Sequence, residues 1–143
     1  MSRDDAFFAY GDAVGRVRVL STKDGRELAR LARPTMIRRV AFSPDASKLA
    51  VSEYDAVVRI FDWRRGEELL RLGQDASLPM GLRWSPDGSA LAITRENGRA
   101  RIWDLATGTL RCDLVGHTAE CHVLDFAPGG ARVVTSSFDG SVR

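Results

Sequence analysis

Apolar and polar positions alternate with a period of two over short runs, as in Leu49-Val51, Leu91-Ile93 and Val133-Thr135, and again around Val58-Ile60 and at Ile102 between Arg101 and Trp103. That period sends successive side chains to opposite faces and predicts half-buried strands, since helices would repeat their apolar positions every three or four residues. Turn words separate the runs: Ser43-Pro44-Asp45, Ser85-Pro86-Asp87-Gly88 and Pro128-Gly129-Gly130. Proline pre-sets the second position of a type I turn, and Asp or Gly completes it.

The words recur at a fixed distance. "FSPDASKLAVSEYD" from Phe42 returns as "WSPDGSALAITREN" from Trp84 and as "FAPGGARVVTSSFD" from Phe126, each 42 residues after the last. Arg59, Arg101 and Arg143 keep the same step, as do Gly66 and Gly108. One period holds four strand-like runs, "GLRW", "ALAIT", "RARIWD" and "TLRCDL". Four antiparallel strands in about 40–45 residues is the pattern of a propeller blade.

The expected fold class is therefore all-β, a β-propeller fragment of four-stranded antiparallel blades in an open, incomplete ring. The expected blades span about residues 1–33 (incomplete), 34–75, 76–117 and 118–143 (truncated). In the first, "AFFAY", "GRVRVLS" and "ELARLAR" read as strands two to four. Three blades and a part cannot close, and two such chains would duplicate two strand types where they met. The expectation is a fragment of a longer reading frame, its other blades supplied by missing sequence of the same chain. Alone, it would aggregate or stay partly unfolded.

The stretch from Arg99 to Arg143, with Trp103-Asp104, Gly116-His117 and Asp139-Gly140 in fixed spacing, resembles the WD-repeat β-propeller family over essentially the whole chain. The runner-up is another bacterial propeller type with SPDG turns, but it lacks the "RIWDLATG" phrase. The resemblance implies a structural hydrogen-bond network of His, Ser or Thr, Asp and Trp in each blade. It maps to His117, Thr135 and Asp139 in the fourth repeat, with Trp103 holding the Trp position in the third. The second repeat has Arg33, Val51, Asp55 and Phe61 in those places, and the third has Asp75, Ile93, Asn97 and Trp103, so apolar packing is expected to replace the network there. The resemblance also implies a non-catalytic protein-interaction scaffold that binds a protein or peptide on its top face. Its partner-binding candidates are Met36, Arg38, Tyr54, Leu78, Met80, Glu96, Glu120, His122 and Phe138. The alternative is a regulatory or docking propeller fused to an enzyme such as a bacterial kinase or NTPase.

Composition changes this picture little. Of 143 residues, 21 are Lys or Arg and 19 Asp or Glu, interleaved along the chain, which disfavours nucleic acid and membrane as partners. No run is long enough to span a bilayer, and two cysteines make no disulfide framework, so a cytoplasmic chain is expected. Thr135, His117 and Asp139 superficially match a nucleophile, base and orienter, but burial explains the grouping and no oxyanion-hole sequence accompanies it. Cys112, His117, Cys121 and His122 offer zinc-ligand types without paired-clip spacing, and both cysteines fall in apolar columns. No catalytic residue, metal or cofactor is expected. The arginine groups Arg38-Arg39, Arg64-Arg65 and Arg95/Arg99/Arg101 read as solvated surface. Phe42, Trp84 and Phe126 read as core, and Trp63 as a partly exposed ring covering a sheet end.

Overall fold

A computed structural model describes residues 1–73 and 76–143, and in it the alternating runs form antiparallel strands in four separate sheets. The first sheet orders β1 (Phe7–Gly11), β2 (Arg16–Ser21) and β3 (Glu27–Ala32). The second orders β4 (Ile37–Phe42), β5 (Leu49–Glu53), β6 (Val58–Asp62) and β7 (Glu67–Leu72). The third repeats this with β8 (Pro79–Trp84), β9 (Ala90–Arg95), β10 (Ala100–Asp104) and β11 (Leu110–Leu114). The fourth pairs β12 (Cys121–Phe126) with β13 (Val133–Ser137), and Val142 bridges to Ser136 beyond it. Every strand pairs with its neighbour in sequence, so each sheet is a meander built from local turns.

The turn words do the work expected of them. Asp45 accepts hydrogen bonds from the Ser43 and Ser47 hydroxyls and the Ser47 amide, and Asp87 repeats the pattern with Ser85 and Ser89. The turn then needs a left-handed residue: Gly88 and Gly130 supply φ of 73° and 72°, and Ala46 holds 55° in the same column.

The sheets stack face to face. Val17, Val19 and Leu31 meet Leu49, Val51, Phe61 and Trp63 between the first two; Val58, Ile60 and Leu72 meet Leu82, Trp84, Leu91 and Ile93 between the next two. Ala92 and Ala100 meet Cys121 and Leu124 in the last interface. Strands β5 and β9 are buried on both faces, because alternate residues serve opposite neighbours: Leu49 and Val51 point to the preceding sheet, Ala50 to the following one. The inner strands β4, β8 and β12 lie side by side, while β7 and β11 make no comparable approach among the described residues. The sheets thus fan out from one side as an open propeller.

Several residues sit differently from the sequence reading. Trp63 is buried: it wedges between the first two sheets, edge-on to Phe7 and Phe42 at 5.2 and 6.0 Å, and its indole N–H donates to the Ala46 carbonyl at 2.9 Å. Arg64 stacks on it at 4.1 Å. Arg95 is not a solvated surface charge but fully buried, donating to the Ala56 and Ser77 carbonyls. Arg99 and Arg101 both reach Asp113.

Candidate functional site

Each inner strand carries a bulge at the same place. The pairing of β4 with β5 steps from Ile37–Glu53 to Arg39–Ser52, leaving Arg38 without an opposite residue. The same step leaves Met80 unopposed in β8 and His122 in β12. A bulge inserts one residue into one strand and turns its side chain out of the ladder. The turn after the second strand returns to this end of each sheet: Tyr54 N donates to Met36 O, Glu96 N to Leu78 O and Phe138 N to Glu120 O, each at 3.1 Å. The nine candidate positions therefore form three equivalent groups on one rim.

Side-chain contacts are uneven around that rim. The Arg38 guanidinium lies over the Tyr54 ring at 4.9 Å, and its Nη2 is 3.1 Å from Met80 Sδ, which joins the second sheet to the third. His122 sits against Phe138 with ring centroids 4.1 Å apart, and its Nε2 is 2.9 Å from Glu120 Oε2. Phe138 stays 72% exposed and Tyr54 49%. Met36 and Leu78 are half-buried, and the Glu96 carboxylate forms no hydrogen bond or ion pair among the described residues.

Below the rim, Arg39, Met80, Gly81, Arg83, His122 and Val123 line a cleft of about 350 Å³ between the inner strands. Gly81 and Val123 were missed as site residues and Arg39 was read as solvated surface, although the three fall 42 residues apart, each one position after a bulge. Gly81 is small for a reason: a Cβ there would approach the His122 carbonyl to 2.9 Å and Thr94 Oγ1 to 2.8 Å. The bare backbone lets β8 and β12 close on each other.

The fourth sheet holds a buried polar chain. Asp139 Oδ2 is 2.9 Å from His117 Nδ1, and His117 Nε2 is 2.9 Å from Thr135 Oγ1. A carboxylate only accepts, so Nδ1 carries the proton in the neutral ring and Nε2 accepts the Thr135 hydroxyl. The Ser141 hydroxyl and amide donate to Asp139 Oδ1 at 2.7 and 2.8 Å, and the Thr118 amide to Oδ2 at 3.0 Å. These donors, Ser141 foremost, hold the Asp139 carboxyl well below the usual carboxylate range. Trp103 stands apart: it packs between the second and third sheets, and its Nε1 has no partner among the described residues. Thr135, the hydroxyl of the triad-like grouping, is buried.

In the second sheet a buried ionic cluster, not apolar packing, occupies the equivalent place. Glu53 is fully buried and accepts from Arg33 Nε at 2.8 Å, Arg59 Nη1 at 3.0 Å and the Thr35 hydroxyl at 3.0 Å. Arg59 also grips Asp55 through both Nη atoms at 2.6 and 3.2 Å. Burial pushes the Asp55 carboxyl up, but the Arg59 and Val57 bonds outweigh it and leave the group below its ordinary value. The same Asp55 bond raises Arg59. Arg33 takes the His position and Glu53 stands two residues past the hydroxyl position, so the charges replace the imidazole by a different route. In the third sheet, Asp75 lies outside the described residues.

The zinc-type residues disperse. His117 and His122 are tied to Asp139 and Glu120, and among the described residues no three His, Cys, Asp or Glu groups gather as metal ligands.

Fanned meander sheets with a bulged rim at one end define a repeat platform of the β-propeller class. The family description "WD domain, G-beta repeat" matches residues 25–62, 67–104 and 108–143, and the chain belongs to that family. Its repeats run from the outer strand of one sheet through the third strand of the next, as 25–62 takes in β3 to β6, so every repeat ties two sheets together covalently. Such repeats generally mediate contacts between proteins and are typically non-catalytic scaffolds. Apoptotic protease-activating factor 1 of Danio rerio is 27% identical over 149 residues, a match covering 96% of this chain and 11% of the relative.

Proposed function

We propose that the chain is a non-catalytic interaction scaffold whose bulged rim docks a protein or peptide. The observation that carries this reading is the convergence of three bulges on one rim, with Tyr54 about half exposed and Phe138 largely exposed beside Arg38 and His122. Large rings held at a rim by a rigid sheet lose little side-chain freedom on contact, which favours them as anchors. The low share of the relative that the chain spans is in keeping with a docking or regulatory segment of a larger protein. The two cysteines are free thiols, in keeping with a cytoplasmic setting. No helix among the described residues is long and apolar enough to cross a membrane.

A photo-crosslinking residue in place of Tyr54 or Phe138, introduced in the cell of origin, is expected to give discrete protein adducts. The same residue at Leu110, exposed on outer strand β11, should give none. Equal adducts from both places would overturn the rim assignment.

A further inference from the structure

We propose that the cleft at the base of the rim takes an acidic segment of the partner polypeptide, an inference that rests on the rim being a docking surface. The argument starts from charge. Arg38 and Arg39 are adjacent on β4, and their guanidinium donors go to uncharged acceptors: Met80 Sδ, the Met80 carbonyl and the Arg38 carbonyl. Among the described residues neither guanidinium meets a carboxylate. Other arginines of the sheets do meet carboxylates, as Arg33 and Arg59 meet Glu53, and Arg99 and Arg101 meet Asp113. Arg83, across the cleft, is 3.9 Å from Asp125 with both side chains more than half exposed, a contact that screening leaves weak. Two guanidiniums, Arg39 and Arg83, thus line one concavity with low-dielectric walls, and Arg38 stands beside it on the lining residue Met80, which focuses positive potential there.

The cleft is also held open in shape. Arg39 Nε is fixed on the Met80 carbonyl at 2.9 Å, and Arg38 is braced between Tyr54 and Met80, so the cations are positioned before any ligand arrives. Immobilised guanidiniums recognise carboxylates bidentately at a smaller entropic cost than free ones. Met80, Leu82 and Val123 add an apolar floor and side, which suits a segment where carboxylates alternate with aliphatic side chains. A polyphosphate chain fits worse: the Glu120 and Asp125 carboxylates stand beside the lining residues His122 and Arg83 and would face its unbroken run of charge, whereas a peptide can space its carboxylates away from them.

The test is panning of a random short-peptide phage library on the immobilised 143-residue chain, followed by titration of the enriched peptide. An enriched acidic-aliphatic consensus is expected, with affinity falling about tenfold or more in Arg38→Ala/Arg39→Ala and also falling with added salt on the unaltered chain. The salt titration keeps the outcome readable if the double variant folds poorly. Acidic peptides that bind indifferently to salt and to both substitutions would overturn the proposal. A neutral or basic consensus lost in Phe138→Ala would overturn it while leaving the rim as a docking surface. No enrichment on a chain that shows a cooperative urea transition would remove both, and a single-stranded oligonucleotide that competes as tightly as the best peptide would replace the acidic segment with nucleic acid.

Discussion

Residue by residue, the spacing of 42 identified columns, but a column does not name its lateral partner. The column holding Glu53 continues as Arg95 and Ser137, three side chains of different charge, the first two fully buried and the third half-buried. Only the folded chain shows that Glu53 answers Arg33 and Arg59, because those contacts join positions 20 and 6 residues away across two turns. The His117–Asp139–Thr135 chain was readable, since a known residue pattern marks it; its ionic counterpart in the second sheet has no such pattern. The cluster makes a sharp prediction. Glu53→Gln keeps the shape but removes the carboxylate that two inward guanidiniums share, and breaking a buried pair by deleting one partner costs about 3–5 kcal/mol. Urea unfolding of the variant should show a loss near that size, against less than ~1 kcal/mol for Glu27→Gln on the exposed Arg30 pair. Equal losses at the two sites would mean that the Glu53 cluster contributes nothing special.

At the scale of elements, strands and turns were visible while the bulges were not. Alternation shows where a strand lies; a bulge shifts the alternation by one within a few residues, and in "MIRRV" and "ECHVL" the apolar spacing reads equally well either way. That is why Val123 escaped notice and Arg39 read only as solvated surface, while Arg38 and His122 were placed at the rim. The turns carry an acid dependence. Serine hydroxyls, then backbone amides, hold the Asp45 and Asp87 carboxyls at about 2, below the ordinary unfolded value of about 4. A carboxyl whose folded value is depressed binds its proton more readily when unfolded, so its stabilising contribution is complete above about pH 4 and disappears as pH falls toward 2. Urea midpoints of the unaltered chain and of Asp45→Asn/Asp87→Asn should differ at pH 7 and converge between pH 4 and pH 2. A gap that persists unchanged at pH 2 would show that the two turns do not supply it.

Over the whole molecule, the same alternation that builds the core also shapes what is left uncovered. Facing sheets are complementary in size: the residue that points to the following sheet is small, Ala9, Ala50 or Ala92, and those that point to the preceding sheet are bulky, Leu49 and Val51 or Leu91 and Ile93. On the first sheet the bulky column is Phe8 and Tyr10, stacked 6.0 Å apart with Phe8 44% exposed and no sheet before it. On the fourth sheet the column of small residues holds the larger Val134, 46% exposed, with Val123 and Val142 also exposed on the same sheet, and no further sheet within these 143 residues covers it. Both end faces of the 143-residue chain are thus apolar and uncovered, and a contact between them is head-to-tail, not two-fold. Joining them repeats second- and third-type strands at the junction, so the geometry does not close into a ring, and a heterologous contact that does not close extends. Sedimentation velocity should therefore show a concentration-dependent distribution without a preferred size, shifted to monomer by Phe8→Glu or by Val134→Glu alone, because either change buries a charge in every junction. A monomer that stays monodisperse over a wide concentration range would mean that these faces do not need covering, and a single discrete dimer would mean that the junction closes in a way the strand order does not allow.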